Sequence, residues 1–86
     1  MRIFVPNPLH SYTRGRAEVE GAGASLGELL ADLDRRYPGF RFRIIDEQNQ
    51  IRPHIRFFVG GEMARSIAHL INPGEDVQIV CALSGG

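Results

Sequence analysis

Residues 76–86 read DVQIVCALSGG. Val77, Ile79 and Cys81 fall on one face of an extended chain, and Val80 and Ala82 fall on the other. Successive side chains in a strand point to opposite sides, so this is a strand with apolar residues on both faces. Such a pattern predicts a place inside a sheet rather than at its margin. The strand then gives way to Ser84, Gly85 and Gly86, which carry little to bury. The expectation is a centrally anchored last strand from which a short Gly-Gly tail projects, its terminal carboxylate on Gly86.

The rest of the chain supplies the partners for that strand. MRIFV at 1–5 alternates, with Ile3 and Val5 on one side and Arg2 and Phe4 on the other. Pro6 and Pro8 end it, since proline has no amide donor for a ladder. RGRAEVEG at 14–21 predicts a second strand with Ala17 and Val19 on one face, closed by Gly21-Ala22-Gly23 and paired to the first through a short connection as an antiparallel hairpin.

SLGELLADLDRRYPGF at 25–40 predicts the main helix. Ser25 and Glu28 have capping-box spacing, in which each side chain takes an orphan amide of the first turn. Leu26, Leu29, Leu30 and Leu33 form one stripe, and Asp32 is placed on the other side. Arg35 and Arg36 suit the negative end of the helix dipole, and Pro38-Gly39 stops the helix. Gly27, unfavourable in a helix, is expected to allow close packing on the sheet.

Residues 40–54 are less regular, with a turn at Asp46–Gln50. HIRFFVGG at 54–61 predicts a third strand with Ile55, Phe57 and Val59 inward, turned by Gly60-Gly61. MARSIAHLI at 63–71 predicts a short helical or irregular segment, and NPGED at 72–76 a turn. Together these elements predict an α+β fold of the β-grasp type, a mixed sheet over one main helix. The last strand lies beside the first. The domain is expected over 1–83 and the tail over 84–86.

Composition excludes several functions. Ten basic and ten acidic residues cancel, which points to neither nucleic acid nor membrane. All the basic residues are arginine. Codon bias is the plainer reading; the sharper one is that an activated carboxyl terminus is kept away from amine nucleophiles. The start has no signal-peptide character, and no stretch has the apolar length of a membrane span. The lone Cys81 cannot form an internal disulfide, which fits a reducing cytoplasm.

No catalytic constellation is visible. His10, His54 and His69 lack metal-ligand spacing on one element. Asp46-Glu47 and Glu75-Asp76 read as solvated turn residues. The alternation of Cys81 with Val77 and Ile79 assigns its thiol to packing. An outward set of Phe4, Phe58, Val80 and Ala82, rimmed by Arg2, Arg56 and Gln78, predicts either a partner face or a face covered by residues 40–54.

Three pieces in this order, SLGELLADLDRRYPGF, RPHIRFFVGGE and INPGEDVQIVCALSGG, resemble the ubiquitin-like sulfur carriers of the MoaD/ThiS group. Residues 40–54 and the chain length resemble its molybdopterin-synthase small-subunit type, or its cysteine and secondary-metabolite carriers. The resemblance implies that an ATP-dependent activating enzyme adenylates Gly86 and that sulfur from a persulfide donor replaces AMP. The resulting thiocarboxylate then serves an acceptor enzyme making molybdopterin, cysteine, thiazole or a secondary metabolite. The tail, with Gly85 and Ser84, is then expected to thread the partner's channel; the outward patch places docking of the body on Phe4, Phe58, Val80 and Leu83, and no metal or bound cofactor is expected. A protein modifier using the same tail, and a binding module without tail chemistry, are the alternatives.

Overall fold

The computed structural model describes residues 1–82. Five strands form one mixed sheet: β1 (Arg2–Phe4), β2 (Glu18–Glu20), β3 (Ile55–Val59), β4 (Glu62–Ala64) and β5 (Val77–Cys81), in the order β2-β1-β5-β3-β4. Helix α1 (Leu26–Arg36) crosses one face, with the short α2 (Phe40–Ile44) beside it. Strand β5 occupies the middle. It runs parallel to β1, with Ile3 opposite Val77, and antiparallel to β3, with Ile55 opposite Cys81. This is the β-grasp arrangement expected from the alternation at 77–82.

The core lies between sheet and helices. Ile3, Val19, Ile55, Phe57, Val59, Val77 and Ile79 from the strands meet Leu26, Leu29, Leu30 and Leu33 from α1, all buried. Burying one such side chain is worth about 1.5–3 kcal/mol, so the four-leucine stripe outweighs the roughly 1 kcal/mol that Gly27 costs the helix. Ser25 caps α1 by accepting the Glu28 amide hydrogen. Glu28 reaches back one residue further than the usual box, to the Ala24 amide at 3.0 Å.

Several expectations need correction. The β1–β2 connection is long rather than tight: residues 5–17 contain a 3-10 turn at Asn7–Leu9 and the buried Leu9 and Thr13. Ala17 does not share the face of Val19. The chain bends there, Ala17 is exposed, and its carbonyl accepts the Val5 amide at 2.8 Å. The start of 63–71 is strand, because the Gly60-Gly61 turn sends Glu62–Ala64 back along β3.

Gly27 packs on the 65–70 segment and not on the sheet, donating its amide to the Ile67 carbonyl at 2.8 Å. Asp32 is buried rather than on the solvent side. It accepts from the Ala22 amide at 3.0 Å and from the guanidinium groups of Arg35 and Arg36. Residues 40–54 do not cover the sheet's outer face. Phe40, Ile44 and Ile45 turn into the core and α2 lies alongside α1.

Candidate functional site at the open sheet face and chain exit

Strand pleating puts alternate residues on the face away from α1. The registers align Glu18, Phe4, Gln78, Phe58 and Met63 in one row across all five strands. Phe4 is 37% exposed and Met63 41%, while Phe58 is half-buried. Val80 is half-buried beside Arg56, its partner on β3, and Ala82 is exposed. The expected partner-face residues Phe4, Phe58 and Val80 therefore do lie together, on an uncovered surface. Apolar side chains gathered this way on an open sheet mark an interaction surface more often than a scatter of exposed residues does.

At one end of this face, Arg2 is held over the Phe4 ring at 5.7 Å and paired with Asp76 at 3.3 Å. A shallow depression there is bounded by Phe4, Phe58, Gly60, Gly61 and Gly74. At the other end the chain leaves the sheet. The Ala82 amide donates to the His54 carbonyl at 2.7 Å, which extends the β3–β5 ladder one bond beyond Cys81. Leu83, Ser84, Gly85 and Gly86, the remaining expected site residues, lie outside the described residues.

Cys81 is free and half-buried, packed against the edge of the core opposite Ile55. It is less enclosed than its alternation with Val77 and Ile79 predicts, because it ends the strand. Of the histidines, His10 is tied through Nε2 to the Val5 carbonyl at 2.8 Å and His54 is exposed. Among the described residues, no group of three or more His, Cys, Asp or Glu side chains is placed to hold a metal ion. No helix among them is long and apolar enough to cross a membrane.

Sequence reasoning missed Met63, Arg65 and Arg52 as members of this end of the face. Arg52, Arg56, Met63 and Arg65 line a groove formed by the segment leading into β3 and the end of β4. Their signal was the Gly60-Gly61 turn: a two-glycine hairpin predicts a returning strand, and that strand pairs Met63 with Phe58.

Comparison with known proteins agrees with this architecture. The ThiS family matches residues 3–86. The sulfur carrier protein CysO of Mycobacterium tuberculosis is 29% identical over 89 residues, covering 98% of this chain and 96% of that protein. The crystal structure of M. tuberculosis CysO superposes with a TM-score of 0.90 at 26% identity, over 95% of this chain and 98% of that one. CysO in the BexX/CysO complex of Amycolatopsis orientalis gives 0.91 at 26% identity, over 99% and 98% of the two chains. The small archaeal modifier protein 1 of Methanosarcina acetivorans shares the fold, with a TM-score of 0.79 at 20% identity over 99% and 94%. With the family matched over nearly its whole length, the chain belongs to the ThiS family of ubiquitin-like sulfur carriers, and it is a carrier rather than an enzyme.

Proposed function

We propose that this protein carries sulfur as a thiocarboxylate on the carboxyl group of Gly86. The observation that supports this best is the central position of β5. A strand paired on both sides, to β1 and β3, holds the departing chain on a rigid body. A carboxylate is a poor electrophile and needs a leaving group. In the proposed sequence, its oxygen attacks the α-phosphorus of ATP on an activating enzyme and pyrophosphate leaves. The terminal sulfur of a persulfide then adds to the acyl carbon and AMP leaves. A thiol cleaves the remaining S–S bond, becoming a disulfide and freeing the thiocarboxylate for an acceptor enzyme.

The carrier's own contribution is positional. Gly85 and Gly86 lack a Cβ and suit passage through a narrow channel beside a nucleotide. Docking by Phe4, Phe58 and Val80, continued by Leu83, presents Ser84–Gly86 to the reacting centre and turns a bimolecular encounter into a local one. The body is then 1–83 and the tail 84–86. The likeness to CysO favours the cysteine and secondary-metabolite acceptors over molybdopterin, and the BexX/CysO complex supports a carrier of this shape assembling with a protein partner. A reducing cytoplasm suits the free thiol of Cys81 and the thiocarboxylate alike.

The test is the intact mass after incubation with ATP, the host's activating enzyme and a persulfide donor. The expected result is a gain equal to exchange of one oxygen for sulfur, abolished by deletion of Gly86 with the fold unchanged by circular dichroism. Adducts on lysines of other proteins, without that gain, would instead assign the chain as a protein modifier. Full activity of the Gly86 deletion would leave a binding module.

A further inference from the structure

The outer face does not end at the row that holds Phe4, Phe58 and Met63. Beyond Met63 and Phe58, at the corner nearest the chain exit, a groove is lined by Arg52, Arg56 and Arg65 together with Ile51, Pro53 and Met63. None of its lining residues is acidic. Among the described residues, none of these three arginines is paired with a carboxylate. Arg35, Arg36 and Arg2, elsewhere on the surface, are paired.

Two of the three are held in place instead. The Arg52 Nε donates to the Phe42 carbonyl at 2.9 Å, and its guanidinium lies over the Phe42 ring at 4.9 Å. The Arg56 guanidinium donates to the Pro53 and Ile55 carbonyls at 2.7 and 2.9 Å. Carbonyl anchors fix a guanidinium without neutralising it, so the positive charge is left for something outside the chain. A guanidinium still has donors free after one or two such bonds, and its planar fork matches a carboxylate.

Position says what that something belongs to. Arg52 and Arg56 flank His54, whose carbonyl binds the last described amide of the chain, on Ala82. Four further extended residues reach at most about 14 Å. A body whose tail is inserted into a partner therefore brings this corner against the rim of the opening and leaves it well short of the reacting carboxyl. The groove is also continuous with the apolar row through Met63, which faces Phe58.

We infer that Arg52, Arg56 and Arg65 form a recognition site for an acidic segment of the protein that receives the tail, seated in the groove with its apolar side chains on Ile51 and Met63. This deepens the proposed function, since it rests on the tail being inserted into a partner. Charges at the rim of an interface act chiefly on the rate of encounter and its salt dependence, and leave the chemistry of the bound state alone.

The experiment measures association of the full chain with the host's activating enzyme by stopped flow, across a series of salt concentrations, with thiocarboxylate formation followed separately by mass. Arg56→Glu combined with Arg65→Glu is expected to lower the association rate about 10-fold or more at low salt and to flatten its salt dependence, with the maximal rate of thiocarboxylate formation unchanged. Arg16→Glu reverses a single charge, half the change of the double variant, near the far edge of the sheet and is expected to leave association within about twofold. Circular dichroism verifies the fold, and Arg56→Gln with Arg65→Gln provides a milder pair with a smaller effect in the same direction.

An unchanged salt dependence in a folded double variant overturns the inference. So does an equal effect from Arg16→Glu, or displacement of the activating enzyme by a short single-stranded DNA, which would assign the groove to polyanions. Failure of the proposed function reads differently: arginine-dependent association persists, but no mass is gained.

Discussion

The Asp32 carboxylate accepts the Ala22 amide hydrogen at 3.0 Å, tying the middle of α1 to the glycine-rich connection that leads into it. Arg35 foremost, then the Ala22 amide and Arg36, hold this carboxyl below its ordinary value of 3.8, against burial, which pushes it up. A carboxyl lowered in the native state contributes stability that is fully present above its unfolded value and is lost as pH falls through the lowered one. Asp32→Asn is therefore expected to weaken the protein at neutral pH and to flatten its acid unfolding below the ordinary carboxylate range. Asp32→Ala leaves the Ala22 amide without its acceptor and should cost about 1–3 kcal/mol. Urea denaturation at neutral and acidic pH checks both; equal stability of wild type and Asp32→Asn at neutral pH would remove this tie from the account.

The same connection sets a second expectation. A Cβ placed on Gly23 would stand 2.5 Å from the Leu29 amide nitrogen and 2.9 Å from the Glu28 carbonyl carbon. Both are backbone atoms of a helix fixed by its leucine stripe, so they have little freedom to retreat. Gly23→Ala should cost about 1–3 kcal/mol or more by overpacking. At Gly61, in the β3–β4 turn, nothing lies within 4 Å but φ is +88°. Gly61→Ala therefore pays only for a left-handed backbone, about 1–2 kcal/mol, and Gly61→Asn should recover part of it. Thermal melts of these three variants and of Gly23→Asn separate steric clash from backbone strain; a Gly23→Asn protein more stable than Gly23→Ala would contradict the assignment.

Cys81 makes a third case. Its half-buried thiol lies opposite Ile55 near the point where the chain leaves the sheet. In the proposed chemistry the sulfur resides on the Gly86 carboxyl, so this thiol has no part in transfer. Cys81→Ala is expected to cost on the order of 1 kcal/mol and to gain the same mass as wild type on incubation with ATP, activating enzyme and sulfur donor. Loss of the mass gain in a folded Cys81→Ala protein would place the thiol in the transfer path.

What could be read from the residues alone follows from length and periodicity. The alternation of Val77, Ile79 and Cys81 fixed the central strand, and the four leucines fixed α1, because each pattern repeats often enough to outweigh local accidents. Strand β4 was hidden because three residues, Glu62–Ala64, cannot establish a period, and only the glycine turn before them implied a return. Asp32 was placed wrongly because one carboxyl beside Leu33 looks like a solvent residue until its partners are known; Arg35 and Arg36 stand at the spacings that would have paired it. Phe4, Phe58 and Val80 were legible strand by strand, whereas Met63 on β4 was not. Nor was the arginine groove, since the β3–β4 hairpin brings Arg65 back beside Arg56, and Arg52 joins them from outside both strands.

Two exposed phenylalanines, one on β1 and one on α2, decide which surface docks. Phe4 lies in the row on the open sheet face and is 37% exposed, whereas Phe42 on α2 is 59% exposed with Arg52 stacked on its ring. Exposure alone would favour Phe42. Phe4, however, shares an uncovered sheet face with Phe58 and Val80, which line shallow depressions with it, and interface energy concentrates in such clusters of large side chains. Phe4→Ser and Phe58→Ser are each expected to raise the concentration needed for half-maximal activation by about 10-fold or more, as loss of a central anchor does. Phe42→Ser, which removes only the ring stacked against Arg52, should raise it by less than either, and all three proteins should stay folded by circular dichroism. If Phe42→Ser impairs activation while Phe4→Ser does not, the partner sits on the helical side, and the open sheet face is surface with another use.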